Sequence, residues 1–122
     1  MSINTNKLGA VESRFADIVW ANEPLKTSEL VKICAQELDW KRTTTYTVLK
    51  RLSDRGLFEN NGGVVSAKIT RDEFYLMQGE SFVEEAYYGS LPAFLAAFTS
   101  NKKLSEEDVA EIKRLIDSYG EE

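Results

Sequence analysis

The chain has 122 residues, 43% of them hydrophobic, and a formal net charge of −5, which suits one soluble domain or a small domain with an appendage. No run approaches the roughly 18 apolar residues needed to cross a bilayer, and the polar start from Met1 to Lys7 lacks the apolar middle of a secretory signal. There is no histidine and only one cysteine, so the usual zinc and copper ligand sets are missing. These features predict a cytoplasmic protein with no membrane partner, no metal site and no cofactor.

The acidic charge is concentrated in the C-terminal part of the chain. Residues 1–70 hold ten Lys/Arg and eight Asp/Glu, a balance of +2, whereas residues 71–122 hold five and twelve, a balance of −7. Residues 41–55 hold five basic residues and one acidic residue, a local excess of +4. Because charges beyond about 10 Å are screened at moderate salt, binding responds to this local excess. The net acidity therefore argues against nucleic-acid contact by the C-terminal part only.

Three short helices are predicted in the first half. Apolar residues at helical spacing predict the first helix over residues 8–21, and Pro24 ends that run. The second helix runs from about Ser28 to Leu38, with a hydroxyl near residues 27–28 as its N-cap. The third helix runs from about Arg42 to Arg55 and ends before a glycine. Cys34 could be a redox or metal-binding group and Trp40 could insert into a groove, but both are interpreted as packing residues.

A β-hairpin is predicted directly after the third helix. The run Asn60-Asn61-Gly62-Gly63 separates two strand-like segments and supplies the positive-φ positions that a tight turn requires. Three short helices followed by a hairpin are the elements of a winged helix-turn-helix, in which the third helix enters the major groove. The fold class is therefore mainly α with a small β-hairpin wing, and residues 1–70 form the predicted winged-helix domain.

The third predicted helix has two unlike sides. Thr45, Val48, Leu49 and Leu52 recur at helical spacing and should pack inward. The opposite side carries hydroxyl and basic groups with one aromatic ring on its flank, from Thr43, Thr44, Thr47, Lys50, Arg51 and Tyr46. Such groups can meet base edges and phosphates, which favours a DNA-binding face. The alternative is an ordinary solvated helix face.

Residues 71–122 predict a helical dimerisation region. A fourth helix from about Arg71 to Tyr88 follows a capping Thr70, a short helix runs from Pro92 through Phe98, and a last helix follows Ser105. Their apolar stripes must be buried either on the N-terminal domain or on a second chain, and a dimer is favoured because it links two half-site contacts. The predicted dimerisation residues are Phe74, Phe82, Tyr87, Phe94, Phe98, Val109, Ile112, Leu115, Ile116 and Tyr119.

Two motifs resemble a known family. Asp39-Trp40, the run from Thr43 to Leu52 and Arg55-Gly56-Leu57 form the first motif. The second motif consists of Gly89-Ser90-Leu91, the run from Phe94 to Phe98 and the run from Lys103 to Asp108. Together they resemble the penicillinase-repressor family over almost the whole chain, from about residue 8 to residue 118.

The resemblance implies a homodimeric repressor whose winged helix reads a palindromic operator and whose C-terminal helices dimerise. By position, Arg42, Thr43, Thr44, Tyr46, Thr47 and Arg51 fall on the family's recognition helix, Lys50 on the same face and Lys68 on the returning strand of the wing. We expect Lys41, Arg42, Lys50, Arg51 and Lys68 to neutralise phosphates. Thr43, Thr44, Tyr46 and Thr47 are expected to contact base edges and methyl groups.

Two departures from the family pattern concern induction. In β-lactam-responsive members an upstream membrane sensor protease triggers cleavage at an Asn-Phe bond, and the pair here is Ala97-Phe98. The missing asparagine argues against release by cleavage. Copper-responsive members carry a C-terminal set of cysteines, and this chain has none there, which argues against copper sensing.

Two other functions are possible from the residues alone. A winged helix can use its polar face for contact with an acidic protein partner, without DNA. An enzyme is the third alternative, but the chain has no histidine and its one cysteine lies on an apolar helix face, so no nucleophile and base pair is evident and no catalytic residue is predicted.

Overall fold

The computed structural model describes residues 7–120. Its elements, in order, are α1 (Ala10–Asn22), β1 (Leu25–Lys26), α2 (Thr27–Leu38), α3 (Arg42–Asp54), β2 (Phe58–Asn61), β3 (Val64–Ala67), α4 (Arg71–Tyr87), α5 (Leu91–Asn101) and α6 (Glu106–Ser118). The predicted fold class, mainly α with a β-hairpin wing, is confirmed. Residues 1–6, most of the polar start considered above, lie outside the described part.

A three-stranded antiparallel sheet contains the predicted hairpin. Its strand order is β1-β3-β2, with Leu25 paired to Val65 and Phe58 paired to Ala67. The sequence did not predict β1, because two residues are too few to show the alternation by which strands are recognised. β1 lies between α1 and α2 and pairs with β3, so the hairpin is hydrogen-bonded to the segment that joins these two helices.

The start of α2 differs from the prediction. Thr27 is the first helical residue and Lys26 is the N-cap residue, with no hydroxyl cap. The free backbone groups find other partners: Lys26 N–H donates to Glu29 Oε1 at 3.0 Å, and Thr27 N–H donates to the carbonyl of Gly63 at 2.9 Å. The predicted hydroxyl cap is therefore wrong, because a glutamate and the hairpin backbone satisfy the donors at this end.

Aromatic rings fill the core of the winged-helix part. Phe15 stacks on Trp40 with ring centroids 5.6 Å apart, and Phe58 lies edge-on to Trp20 at 5.5 Å. The indole N–H of Trp20 donates to the carbonyl of Ile69 at 3.0 Å, which fastens the segment after β3 to α1. The packing role predicted for Trp40 is confirmed, and this core holds α3 against α1, α2 and the sheet.

Two of the C-terminal helices, α4 and α6, begin at the predicted caps, whereas the cap of α5 at Ser90 was not predicted. Glu73 N–H donates to Thr70 Oγ1 at 3.0 Å, and Asp108 N–H donates to Ser105 Oγ at 2.9 Å. Ser90 Oγ accepts from Ala93 N–H at 3.0 Å, and α5 continues to Asn101, beyond the predicted end at Phe98. Local hydrogen bonding therefore fixes the starts of these helices.

The chain divides into two compact units between Ser81 and Phe82, inside α4. The first unit contains the winged helix and its core. Within residues 82–120 of the second unit, no residue is buried, although Phe94 contacts Phe82 and Tyr87 with centroids 6.0 and 5.5 Å apart. This unit has an aromatic cluster but no closed core.

Candidate nucleic-acid interface

α3 has the two sides that the sequence predicts. Thr45, Val48, Leu49 and Leu52 are buried against the rest of the first unit. The opposite side is open to solvent, with Tyr46 half-buried on its flank; the exposed residues are Lys41, Arg42, Thr43, Thr44, Thr47, Lys50 and Arg51. The fold therefore positions all the residues assigned to this helix on one accessible surface, which we call the α3 polar face. Contact of this face with DNA stays a prediction.

Thr45 fixes α3 from behind. Thr45 is 1% exposed, and its hydroxyl donates to the carbonyl of Lys41 at 3.4 Å. Burial raises the pKa of the Cys34 thiol on α2, so Cys34 stays uncharged, and its predicted role as a core residue is confirmed. A buried hydroxyl that has a hydrogen-bond partner costs little, so Thr45 can pack with the apolar side of α3.

An arginine stacks on the aromatic ring of the polar face. The guanidinium carbon of Arg42 lies 5.2 Å from the ring centroid of Tyr46. This distance is within the range of a cation–π contact, which restrains a long side chain without using its N–H donors. Both residues lie in the first turns of α3, the part of a helix-turn-helix recognition helix that reaches base edges.

Two arginines, Arg51 in the last turns of α3 and Arg55 directly after it, meet a carboxylate from α1. Arg51 Nη1 donates to Glu12 Oε2 at 2.7 Å, and Arg55 Nη1 lies 3.9 Å from Glu12 Oε1. The hydrogen bond from Arg51 holds the pKa of Glu12 below its usual range, although burial opposes that shift. Glu12 is therefore ionised near neutral pH and neutralises part of the basic charge of α3.

Lys50 has a looser partner. Its Nζ lies 3.1 Å from Asp54 Oδ2, one helical turn away, and the two side chains are 77% and 66% exposed. Such solvated pairs contribute about 0.3–0.5 kcal/mol at most. Lys50 can therefore leave Asp54 for a phosphate at little cost.

The Glu12 contact predicts a pH-dependent contribution to stability. Because the folded-state pKa of Glu12 is lowered, its stabilising effect is complete above the unfolded-state pKa and is lost as pH falls through the folded-state pKa. We expect wild type to exceed Glu12→Gln in free energy of unfolding by about 1 kcal/mol or less at neutral pH, and the difference to diminish as pH falls below the ordinary glutamate pKa and through the lowered folded-state pKa. Urea denaturation at a series of pH values measures it. A pH-independent difference would contradict this interpretation.

The wing exposes its backbone at a tight turn. Gly62 and Gly63 join β2 to β3 with φ of 60° and 91°, a conformation that side chains with a Cβ rarely adopt. Gly63 N–H donates to Asn60 Oδ1 at 3.0 Å, and Asn61 is exposed beside it. The described tip therefore offers amide and backbone groups, and no basic side chain, to a neighbouring molecule.

Lys68 does not lie on the returning strand of the wing. β3 ends at Ala67, and Lys68 follows it with its backbone N–H donated to the carbonyl of Leu57 at 2.8 Å. Its side chain is exposed at the base of the wing. The predicted strand position is wrong by one residue: Lys68 lies directly after the end of β3, although its hydrogen bond to Leu57 follows the register in which Phe58 pairs with Ala67.

Sequence reasoning missed three residues around this surface. Asn60 and Asn61 were assigned only to the turn, although their amides at the wing tip could have been proposed as contacts. Glu12 gave no signal, because its partner Arg51 is 39 positions away in the chain. Only the folding of the first unit brings the carboxylate of Glu12 to the arginines.

Most of the predicted dimerisation residues lie in the second unit, and one is wrongly assigned. Phe74 is 1% exposed and packs against Trp20 and Tyr75, so it belongs to the core of the first unit and is unavailable to a partner. None of the other nine is fully buried. Three are partly buried, namely Tyr87, Phe94 and Ile112, and six are exposed, namely Phe82, Phe98, Val109, Leu115, Ile116 and Tyr119. Their contact with a second chain stays a prediction.

The Ala97-Phe98 pair lies inside α5, and both side chains are exposed. A protease needs a locally unfolded segment, so this helix would have to open before the bond could be cut.

Across residues 7–120, no group of three His, Cys, Asp or Glu side chains is arranged to hold a metal ion. No helix in the same range is long and apolar enough to span a membrane.

A model of the penicillinase repressor family matches residues 8–118. The chain belongs to this family. It is 22% identical over 117 residues to the penicillinase repressor of Bacillus licheniformis, covering 93% of this chain and 91% of that protein. It is also 25% identical over 120 residues to an uncharacterised 16.5 kDa protein in the ptsI 3′ region of Latilactobacillus sakei, covering 95% and 82%.

Membership of the penicillinase repressor family confirms the resemblance seen in the sequence. The family is one of DNA-binding transcriptional repressors, and such repressors are in general not enzymes. The winged helix described above is consistent with that family.

Proposed function

We propose that the protein is a cytoplasmic homodimeric repressor that binds a palindromic operator through the α3 polar face and the wing. The observation that carries this proposal is the exposure of the α3 polar face on a helix whose other side is fully packed. A rigid helix that presents hydroxyls, an aromatic ring and basic groups can enter a major groove without refolding.

The residues of the α3 polar face form two groups by position, one that would contact base edges and one that would contact phosphates. Thr43, Thr44, Tyr46 and Thr47 lie near the start of the helix, where base edges are read, and each good contact is worth about 1–3 kcal/mol of discrimination. Lys41, Arg42, Lys50, Arg51 and Lys68 surround them and would neutralise phosphates. Backbone and amide groups of the wing tip would add contacts to the DNA backbone.

The second unit supports the dimer. Within residues 82–120 no side chain is buried, and Leu115, Ile116 and Tyr119 on α6 are 66%, 61% and 89% exposed. Soluble monomers rarely leave such a row of apolar side chains in water. A second copy related by a two-fold axis covers the same row on both chains. The two α3 helices would then meet major grooves about one helical turn, roughly 34 Å, or a multiple of it apart.

Single substitutions on the α3 polar face test the two kinds of contact. We expect Lys41→Gln to weaken binding to operator and scrambled DNA alike by roughly three- to tenfold and to reduce the salt slope by about 0.9. We expect Thr44→Ala to change base preference at one position of each half-site, by about 1–3 kcal/mol. Gel-shift titrations at several salt concentrations measure both.

Lys103→Gln is the matched control, because this exposed lysine lies between α5 and α6 in the second unit and belongs neither to α3 nor to the wing. Unchanged affinity in Lys41→Gln and Thr44→Ala would remove the assignment. Absence of any salt-dependent DNA affinity in wild type would instead favour the alternative, a winged helix that uses the α3 polar face to bind an acidic protein.

A further inference from the structure

Glu12 is a charged side chain at the start of α1 that the proposed DNA contacts do not include. Its side chain is only 21% exposed. Oε2 accepts the hydrogen bond from Arg51 at 2.7 Å, whereas Oε1 accepts from Gly9 N–H at 3.1 Å and lies 3.9 Å from Arg55 Nη1. Because Oε1 keeps its own contacts, the carboxylate stays in place whether or not Arg51 remains bound to it.

Arg51 shares a helix face with the proposed base-reading residues. Thr44, Thr47 and Arg51 follow the spacing of one side of α3. At about 1.5 Å per residue, Arg51 lies roughly 10 Å along the helix from Thr44. The major groove is about 12 Å wide, so a helix with Thr44 at the base edges places Arg51 near the phosphates at the groove wall. This step rests on the proposed function.

We infer that Glu12 is an internal counter-anion that occupies Arg51 in the DNA-free protein, so that a DNA phosphate must compete with a fixed carboxylate for this arginine. Sequence-independent affinity comes almost entirely from phosphate neutralisation, and a guanidinium paired to a carboxylate contributes little net charge to it. The Arg51 side chain is 51% exposed, so a phosphate can reach it without any unfolding. Glu12 thereby limits binding to non-operator DNA.

The other ion pair on α3 does not have this property. Lys50 and Asp54 lie on the same helix, and both side chains are largely exposed. Glu12 instead comes from α1 and is held by the Gly9 backbone and by Arg55 as well as by Arg51. Of these two ion pairs, the Glu12 pair is therefore the one that sets a fixed competitor beside the α3 polar face.

Removal of the Glu12 carboxylate should increase DNA affinity, because Arg51 then becomes free to bind a phosphate. We expect Glu12→Gln to bind scrambled duplex DNA roughly three- to tenfold more tightly at about 0.1 M salt and to steepen the salt slope by about 0.9. Glutamine keeps the shape and can still accept from Gly9 N–H. Asp17→Asn is the matched control, because it makes the same charge change on α1 and also frees an arginine, Arg71, at 2.9 Å.

A double-mutant cycle with Arg51→Gln separates this role from a general charge effect. The gain from Glu12→Gln should disappear in the Arg51→Gln background. A gain of equal size in that background, a gain of equal size in Asp17→Asn, or weaker binding by a folded Glu12→Gln protein would each overturn the inference. Thermal unfolding at neutral pH establishes that each variant is folded.

Failure of the counter-anion role can be distinguished from failure of the proposed DNA-binding function. If wild type binds DNA with a measurable salt slope and Glu12→Gln gains nothing, only the counter-anion role fails. If neither protein binds DNA at any salt concentration, both fail. In that event an NMR titration of the Glu12 carboxyl in wild type and in Arg51→Gln still reports whether the ion pair exists in solution, because loss of Arg51 should raise the pKa of Glu12.

Discussion

Leu115→Asp is expected to convert the protein to a monomer and to reduce operator affinity by about a hundredfold or more. Leu115 is 66% exposed in the single chain, so its replacement should change the stability of one subunit by no more than about 0.5 kcal/mol. In the proposed dimer the same position is covered, and an unpaired carboxylate buried there costs several kcal/mol. Loss of the second subunit removes the gain from linking two half-sites, which is typically about 10²–10⁴-fold.

Sedimentation velocity and gel-shift titration with a palindromic site measure the two effects of Leu115→Asp together. Ala110→Asp is the matched control, since it places the same charge on α6 but on the side away from the apolar row. It should remain dimeric and bind as wild type. A Leu115→Asp protein that sediments like wild type would show that α6 is not the dimer interface.

Phe58→Ala is expected to lower the free energy of unfolding of the winged-helix unit by about 3–5 kcal/mol. Phe58 is fully buried, and its ring lies 6.4 Å from Phe15 and 5.5 Å from Trp20, so no neighbouring side chain can fill the space without moving another ring. Small domains are stable by only about 5–15 kcal/mol, so this one change removes a large share. DNA binding should weaken only to the extent that the variant is unfolded under the conditions of the assay.

Urea denaturation measures the effect of Phe58→Ala. Val64→Ala on the adjacent strand is the control, because Val64 is 41% exposed and its truncation should cost less than about 1 kcal/mol. A loss below about 1 kcal/mol for Phe58→Ala as well would contradict the assignment of this ring to the centre of the core.

Periodicity and local chemistry account for what could be predicted from the sequence. The inward stripe of α3, the caps at Thr70 and Ser105 and the glycine turn of the wing all depend on residues close together in the chain, and the structure has them as predicted. Family resemblance added the functional class, because its motifs cover most of the chain.

Long-range contacts account for what could not be predicted. β1 exists because Leu25 pairs with Val65, and Glu12 reaches Arg51 only once the first unit has folded. Phe74 has the apolar character of a dimer contact, but its place in α4 puts it against Trp20 in the core. A side chain's apolar character predicts that it will be covered, but does not predict what covers it.

The proposal that two chains present their α3 helices to a symmetric DNA site is tested most directly by selecting bound sequences from random duplex DNA with the purified protein. We expect an inverted repeat, with half-site centres separated by about one helical turn or a multiple of it. Recovery of a single unrepeated half-site, or of no enriched sequence, would contradict the proposed homodimeric repressor.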